Sequence, residues 1–246
     1  MGVGTCDYDY RLSHLGESKG QAYDASFATC PWRAHLWRQE RRILNRIIGK
    51  HLTGRRIDHL DFACGTGRVL RHLSGQVASS TGIDVSESML KVARARVSKA
   101  EIINGDITRR KYFGGKTFNL ITAMRFFPNA QNQLRSSAIE AISRHLAPDG
   151  LFVFNNHKNS SSTLYKLGRA MGKRPRTMSF VEARRLVEGA GLTIVETRAM
   201  GVLPATDNHM LVPGPVHRFC DWLVGAFGLS GVLGQNVVFV CRKPRT

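Results

Sequence analysis

A chain of 246 residues with 42% hydrophobic side chains is long enough to bury one sizeable core, which excludes a disordered tail and a small fold stapled by metal or disulfides. Its five cysteines, at positions 6, 30, 64, 220 and 241, form no C-x-x-C pair, so they read as reduced thiols with no metal site. The formal net charge of +18 predicts either an anionic partner (nucleic acid, phospholipid headgroups or an acidic small molecule) or a plain solvated basic surface.

Residues 1–31 form a polar arm that begins Thr5-Cys6-Asp7-Tyr8-Asp9 and carries Tyr23-Asp24 and Pro31-Trp32-Arg33. With no charged-then-apolar leader pattern and no apolar run long enough to span a bilayer, a cytoplasmic protein is expected. Leu36, Ile43, Leu44, Ile47 and Ile48 fall near i, i+3, i+4 spacing and predict a helix from about 32 to 50. Strands are expected near 57–63, 79–84, 100–104, 118–124 and 150–155, with helices between them at 67–73, 86–97 and 131–147. Pro148-Asp149-Gly150 reads as the turn that feeds the fifth strand. A helix at 179–190, a strand over 191–196 and a last strand over 236–241 continue the alternation. The pattern predicts an α/β fold: a Rossmann-like, doubly wound, seven-stranded and mostly parallel sheet with helices on both faces. An N-terminal helical arm precedes it, and a helical insertion over 199–235 precedes the last strand.

The most informative run is Leu60-Asp61-Phe62-Ala63-Cys64-Gly65-Thr66-Gly67-Arg68, where an apolar strand breaks into a glycine turn that opens a helix. Gly65 and Gly67 let the backbone pass under a ligand and adopt unusual φ values, and the following helix brings its N–H groups close. The next strand ends at Asp84, in Thr81-Gly82-Ile83-Asp84-Val85-Ser86, where an acid can accept from both hydroxyls of a ribose. The dinucleotide fingerprint fits less well, because no third glycine is placed for close helix packing and Asp61 is a poor neighbour for pyrophosphate. D-x-A-C-G-T-G followed by G-I-D-x-S-x-x-M-L instead resembles the class I S-adenosylmethionine-dependent methyltransferases over roughly residues 55–155. The resemblance implies S-adenosyl-L-methionine as cofactor and S-adenosyl-L-homocysteine as product. It implies that Asp61, Ala63, Cys64, Gly65 and Gly67 face the methionine part and that Asp84 holds the ribose. In Asn104-Gly105-Asp106-Ile107 it implies that Asp106 accepts from the adenine amino group while the Ile107 N–H donates to the ring. Val85 and Met89 then wall the adenine or pack as ordinary core, Met124 closes the fourth strand, and Tyr23 or Arg33 of the arm meets the cofactor's carboxylate. Asn119 departs from the acid that the family commonly has in this strand.

In an open α/β sheet the site lies at the carboxyl ends of the strands. Strand four delivers Met124-Arg125-Phe126-Phe127-Pro128-Asn129 there and strand five delivers Asn155-Asn156-His157. Arg125 is the expected partner of an acidic substrate group, Phe126 and Phe127 the walls of an apolar ring, and Asn155 a further substrate contact. His157 is the expected general base, needed only if the acceptor is a hydroxyl or a protonated amine, with His209 of the insertion in reserve. No acid occurs between Asp149 and Glu182, where Lys158, Lys166, Arg169, Lys173, Arg174 and Arg176 lie. This stretch is expected to border the pocket mouth and attract an anionic acceptor.

Within the insertion, Val216, Phe219, Cys220, Leu223, Val224 and Phe227 run i, i+3, i+4, i+7, i+8, i+11, an amphipathic helix started by Gly214-Pro215 and ended by Gly228. Its apolar face is expected to pack on the domain as a lid. The competing expectation is contact with a membrane surface, since the ubiquinone-pathway O-methyltransferases, which the chain resembles in outline, carry an amphipathic insertion here. The chain is expected to be one domain, with an arm and helix (1–50), a cofactor half (55–155) and a substrate half (156–246). Methyl transfer to an O, N or C atom of a small biosynthetic acceptor is the expected function. RNA methylation is the second reading, against which stand the lack of an N-P-P-Y-type segment after strand four and of a proline-cysteine pair. A non-catalytic, regulatory S-adenosylmethionine binder is the third.

Overall fold

The computed structural model describes residues 9–14, 16, 19–110, 112–172, 176–206 and 209–245. After a 3₁₀ turn (Tyr10–His14), the helices α1 (Lys19–Thr29) and α2 (Pro31–His51) lead into β1 (Asp58–Phe62). The chain then alternates through α3 (Arg68–Leu73), β2 (Ser79–Asp84), α4 (Glu87–Arg96), β3 (Glu101–Asn104), β4 (Phe118–Ala123), α5 (Asn132–His145) and β5 (Leu146–Asn156). It closes with α6 (Thr163–Ala170), α7 (Phe180–Gly189), β6 (Thr193–Met200), α8 (Gly214–Ala226), α9 (Ser230–Leu233) and β7 (Asn236–Arg242). The seven strands form one sheet in the order β3-β2-β1-β4-β5-β7-β6, parallel except for β7, which runs antiparallel to both β5 and β6.

Strand order reverses between β1 and β4, so the connections leave those two strands in opposite directions and open a crevice at their carboxyl ends. Side-chain alternation explains why the central strands read as continuous apolar runs. In β7, Val237, Phe239 and Cys241 join the core under α5 and α7, while Val238 and Val240 join Leu36, Leu44 and Ile47 of α2 on the other face. Phe154 and Phe239 stack at 4.9 Å across the β5–β7 ladder. Ser86 caps α4 by accepting the Met89 N–H, and Ser179 with Glu182 forms a full capping box at α7.

Two expectations are corrected. Strand five starts at Leu146, not after the Pro148-Asp149-Gly150 turn: Phe118 pairs with Leu146 and Leu120 with Leu151, so the turn is a bulge inside the strand. Asp149 sits there in the left-handed region (φ 58°), held by Arg55, Arg242 and Arg245. Helix α6 occupies part of the basic stretch, to which the sequence pattern assigned no element; Lys173 and Arg174 lie outside the described residues.

The second correction concerns the insertion. Helix α8 forms where the periodicity places it, yet Val216, Phe219, Leu223 and Phe227 are exposed, Phe219 by 60% and Phe227 by 72%. The covered face is His217, Asp221 and Val224. His217 packs against Trp32 and His35 of α2, and Asp221 accepts from the Gln39 side chain (2.7 Å) and the Val202 N–H (2.9 Å). Polar anchoring to α2 and the loop after β6 turns the apolar stripe to solvent, so it is not the underside of a lid.

Candidate active site

A cavity of about 400 Å³ opens at the carboxyl ends of β1, β2, β4 and β5, within the size range of small-molecule sites. Its floor is the turn after β1. Ala63 (φ 54°), Gly65 (φ 54°) and Gly67 (φ 74°) all take the left-handed conformation, so the turn is tight enough to aim α3 at the cavity. A side chain on Gly65 would meet open space, which marks this backbone as a surface for a ligand. Gly67 does the opposite job: a Cβ there would come within 3.1 Å of Ala93 and Val97, so its absence lets α3 seat against α4. That packing role, which the sequence lacked a third glycine to fill, falls to Gly67.

Asp84, at the tip of β2, lines the cavity and is oriented by two backbone donors, Gly65 N–H (2.8 Å) and Ser86 N–H (2.9 Å). Burial raises its pKa against those bonds. Asp61 is deeper, and burial pushes it up to about 7 although the Thr122 hydroxyl donates to it (2.6 Å) and Arg68 lies nearby. Thr122 and Ser80 also hold the fully buried His59 at 2.8 Å each, so a polar relay crosses β2, β1 and β4 beneath the turn.

The far wall comes from Val85, Met89, Gly105, Asp106 and Thr108. One oxygen of Asp106 accepts the Thr108 N–H (2.9 Å) and hydroxyl (2.6 Å), and the other accepts from Arg11 of the N-terminal arm (3.0 Å). Ile107 is buried in the core and its side chain does not reach the cavity. Tyr23 of α1 and Arg33 of α2 also line the cavity.

Beyond Met124 the cavity changes character. Arg125 is a non-glycine residue at φ 64°, a strained backbone held by two asparagines: its N–H donates to Asn155 Oδ1 (2.6 Å), and its carbonyl accepts from Asn129 (2.8 Å). Asn155 is fully buried and donates in turn to Glu40 of α2 (2.9 Å), so it positions Arg125 and does not face the cavity. Phe126 lines the cavity, edge-on to Phe62 and Tyr10, whereas Phe127 turns into the core against Phe152 and Phe154. His157 and Lys158 complete this end, with Lys158 donating to Asn129 Oδ1 (2.6 Å). Burial, then Arg125, Lys158 and Arg33, hold His157 well below the usual histidine range, so it is neutral. His209 is exposed and outside the cavity.

The expected set is therefore largely brought together, with Gly67, Ile107, Phe127, Asn155 and His209 outside the lining. Sequence reasoning missed Tyr10, Arg11, Arg68 and Asn129, whereas Lys158 belongs to the basic stretch expected to border the pocket mouth. Asn129 had a signal, since it sits at the carboxyl end of a central strand. Arg68 follows the glycine turn directly; its guanidinium lies 3.5 Å over the Phe27 ring and 4.7 Å from Trp37, which a local motif cannot reveal.

Residues 60–150 match a family described as a methyltransferase domain. A dTDP-3-amino-3,6-dideoxy-alpha-D-glucopyranose N,N-dimethyltransferase from Streptomyces fradiae is 36% identical over 38% of this chain and 37% of its own. A ubiquinone biosynthesis O-methyltransferase from Thiobacillus denitrificans is 25% identical over 65% of this chain and 74% of that protein. The chain spans well under half the length of the sugar N,N-dimethyltransferases it matches. Among solved structures, magnesium protoporphyrin IX methyltransferase from Synechocystis with bound S-adenosylhomocysteine superposes with a TM-score of 0.63 at 12% identity, covering 96% of this chain and 100% of that one. An N-methyltransferase from Bradyrhizobium japonicum, also with S-adenosylhomocysteine, gives 0.60 at 18% identity, covering 96% and 97%. At these identities the likeness shows the fold.

Proposed function

We propose that this chain, which belongs to the class I S-adenosylmethionine-dependent methyltransferases, transfers a methyl group to a small-molecule acceptor of a biosynthetic pathway. The observation that carries the reading is one continuous cavity with two ends. A nucleoside end is built on Gly65, Asp84 and Asp106, and a separate end beyond Met124 is walled by Phe126, Arg125 and His157.

The nucleoside end fits S-adenosylmethionine. Asp84, oriented by two N–H donors, keeps lone pairs for the ribose hydroxyls, Asp106 and the Ile107 N–H serve the adenine edge, and Arg33 or Tyr23 serves the carboxylate. When bound, the cofactor supplies an electrophilic methyl carbon on a sulfonium. The residues of the chain then have to align the acceptor atom, exclude water and, for a hydroxyl or ammonium acceptor, take a proton; alignment alone supplies a large part of the acceleration. Phe126 and Leu134 give the apolar wall, and His157 is the base. Binding of S-adenosylhomocysteine by calorimetry, followed by a methyl-donor assay on small-molecule extracts and on RNA, tests the reading. Methylation of RNA alone, or tight binding without any transfer, replaces it with one of the other two readings.

Asp61 gives a pH signature. Its carboxyl titrates at about 7 in the free protein, raised by burial, so it is partly protonated near neutrality. A cationic ligand beside it favours the carboxylate. S-adenosylmethionine binding near pH 7 is therefore expected to release a proton, with affinity rising as pH rises through 7. Titrations in two buffers of different ionisation enthalpy measure this; identical apparent enthalpies would remove Asp61 from the contact.

The exposed face of α8 favours a peripheral membrane role for the insertion over the lid. Phe219, Trp222 and Phe227 are exposed on α8, as are Leu229 and Val232 at α9; α9 touches both α8 and α6, on which Lys166 and Arg169 are exposed. An apolar surface beside cations suits anionic lipid headgroups. No helix among the described residues is long and apolar enough to cross a membrane. The protein is expected to sediment with vesicles of anionic phospholipid, and Phe219→Glu to abolish this while leaving cofactor binding intact. Equal sedimentation of that variant refutes the role.

A further inference from the structure

We infer that the acceptor is an oxyanion, a small organic acid or phosphate ester whose charged group docks between Arg125 and Lys158 while its apolar body lies along Phe126. The inference rests on the methyltransferase reading and adds the substrate class. The acids that line the cavity, Asp61, Asp84 and Asp106, all belong to the nucleoside end. At the other end the charged side chains not assigned to the cofactor are cations: Arg125 from the loop after β4 and Lys158 from the loop after β5.

Like charges gathered around a partly dry pocket cost free energy unless an anion joins them. Arg125 and Lys158 are close enough that each disfavours a further positive charge nearby, as the depressed titrations of Lys158 and His157 record, with burial the largest cause of both. Arg125 Nη1 is buried with no hydrogen-bond partner among the described residues, although a guanidinium has five donors to satisfy. The neighbouring polar groups are already committed. Asn129 Oδ1 takes Lys158 and its amide serves the Arg125 carbonyl, so neither neutralises the cations.

The Arg125 backbone is also held deliberately. Its left-handed conformation is pinned by Asn155, which is itself pinned by Glu40 from α2, so three elements fix where this one guanidinium sits. A planar fork beside an ammonium suits a carboxylate or phosphate, which takes two parallel N–H donors and one point charge. Tyr10, Phe126 and Leu134 line the space next to it and suit an aryl or alkyl body.

The test uses the full chain loaded with S-adenosylhomocysteine, so that the cofactor's own carboxylate site is filled, and titrates benzoate and inorganic phosphate calorimetrically. One probe or both should bind with one-to-one stoichiometry; benzoate points to a carboxylated acceptor and phosphate to a phosphorylated one. Arg125→Gln and, independently, Lys158→Gln should each weaken that probe by about tenfold or more, with S-adenosylhomocysteine affinity unchanged within a factor of about two. If S-adenosylhomocysteine binds but neither anion does, or both variants bind the anion as the parent does, the proposal is overturned. Failure of S-adenosylhomocysteine to bind refutes the methyltransferase reading instead. The anion titration is then repeated on the unloaded protein, where loss in both variants supports the clamp and no loss overturns it.

Discussion

Asp84→Ala is expected to weaken S-adenosylhomocysteine binding by about 1–3 kcal/mol, roughly 5- to 150-fold, because two ribose hydroxyls lose their acceptor inside a partly dry cavity. The structure adds a second contribution. The same carboxylate accepts the Gly65 and Ser86 N–H groups, so the variant also frees the glycine turn and the start of α4. Asp84→Asn separates the two effects. Its amide oxygen keeps one of the backbone bonds while its NH₂ faces the other donor, so the turn is partly preserved and the negative charge is lost. Calorimetry on both variants, with far-ultraviolet circular dichroism confirming the fold, decides the matter: unchanged affinity in Asp84→Ala refutes the ribose assignment.

The cofactor half was legible in the sequence because its geometry is local. A strand, a five-residue glycine turn and a helix leave few places for Asp61, Gly65 and Gly67, and a βαβ spacing leaves few for Asp84. Long-range choices were less legible. Periodicity predicts that α8 has an apolar stripe, and it does; which face is covered depends on Gln39 of α2, 182 residues away, offering a partner to Asp221. The same limit applies at the end of β4. Phe126 and Phe127 are neighbours of one residue type just after the left-handed Arg125, and residue type alone does not tell that the first faces the cavity and the second the core. Asn155 looked like a substrate contact because it ends a central strand, whereas its side chain is spent on the Arg125 N–H. Tyr10 and Arg11 reach the cavity from a 3₁₀ turn that no periodicity announces, with Arg11 bridging Asp9 and Asp106.

With an acceptor in hand, His157→Ala is expected to lower the rate by about 10²–10⁴-fold if that acceptor must lose a proton. Cofactor affinity should change little, since His157 stands at the end of the cavity away from Asp84 and Asp106. The pH dependence carries the sharper test. Burial and the three nearby cations depress the titration of His157 well below the ordinary value of 6.5, so the basic form persists as pH falls. For a group whose pKa is depressed, protonation is postponed to lower pH. The kcat/KM profile for the acceptor at saturating S-adenosylmethionine, which reports the cofactor-loaded enzyme and so leaves out the Asp61 titration, should therefore stay flat through pH 6 and fall only at more acidic pH. Replacing Lys158 with Gln removes one of the cations and should move that acid limb upward. An inflection near 6.5 in the parent protein, or a limb that ignores Lys158→Gln, would assign the base to another group, and a His157→Ala rate within a few-fold of the parent at every pH would mean that the acceptor reacts without one.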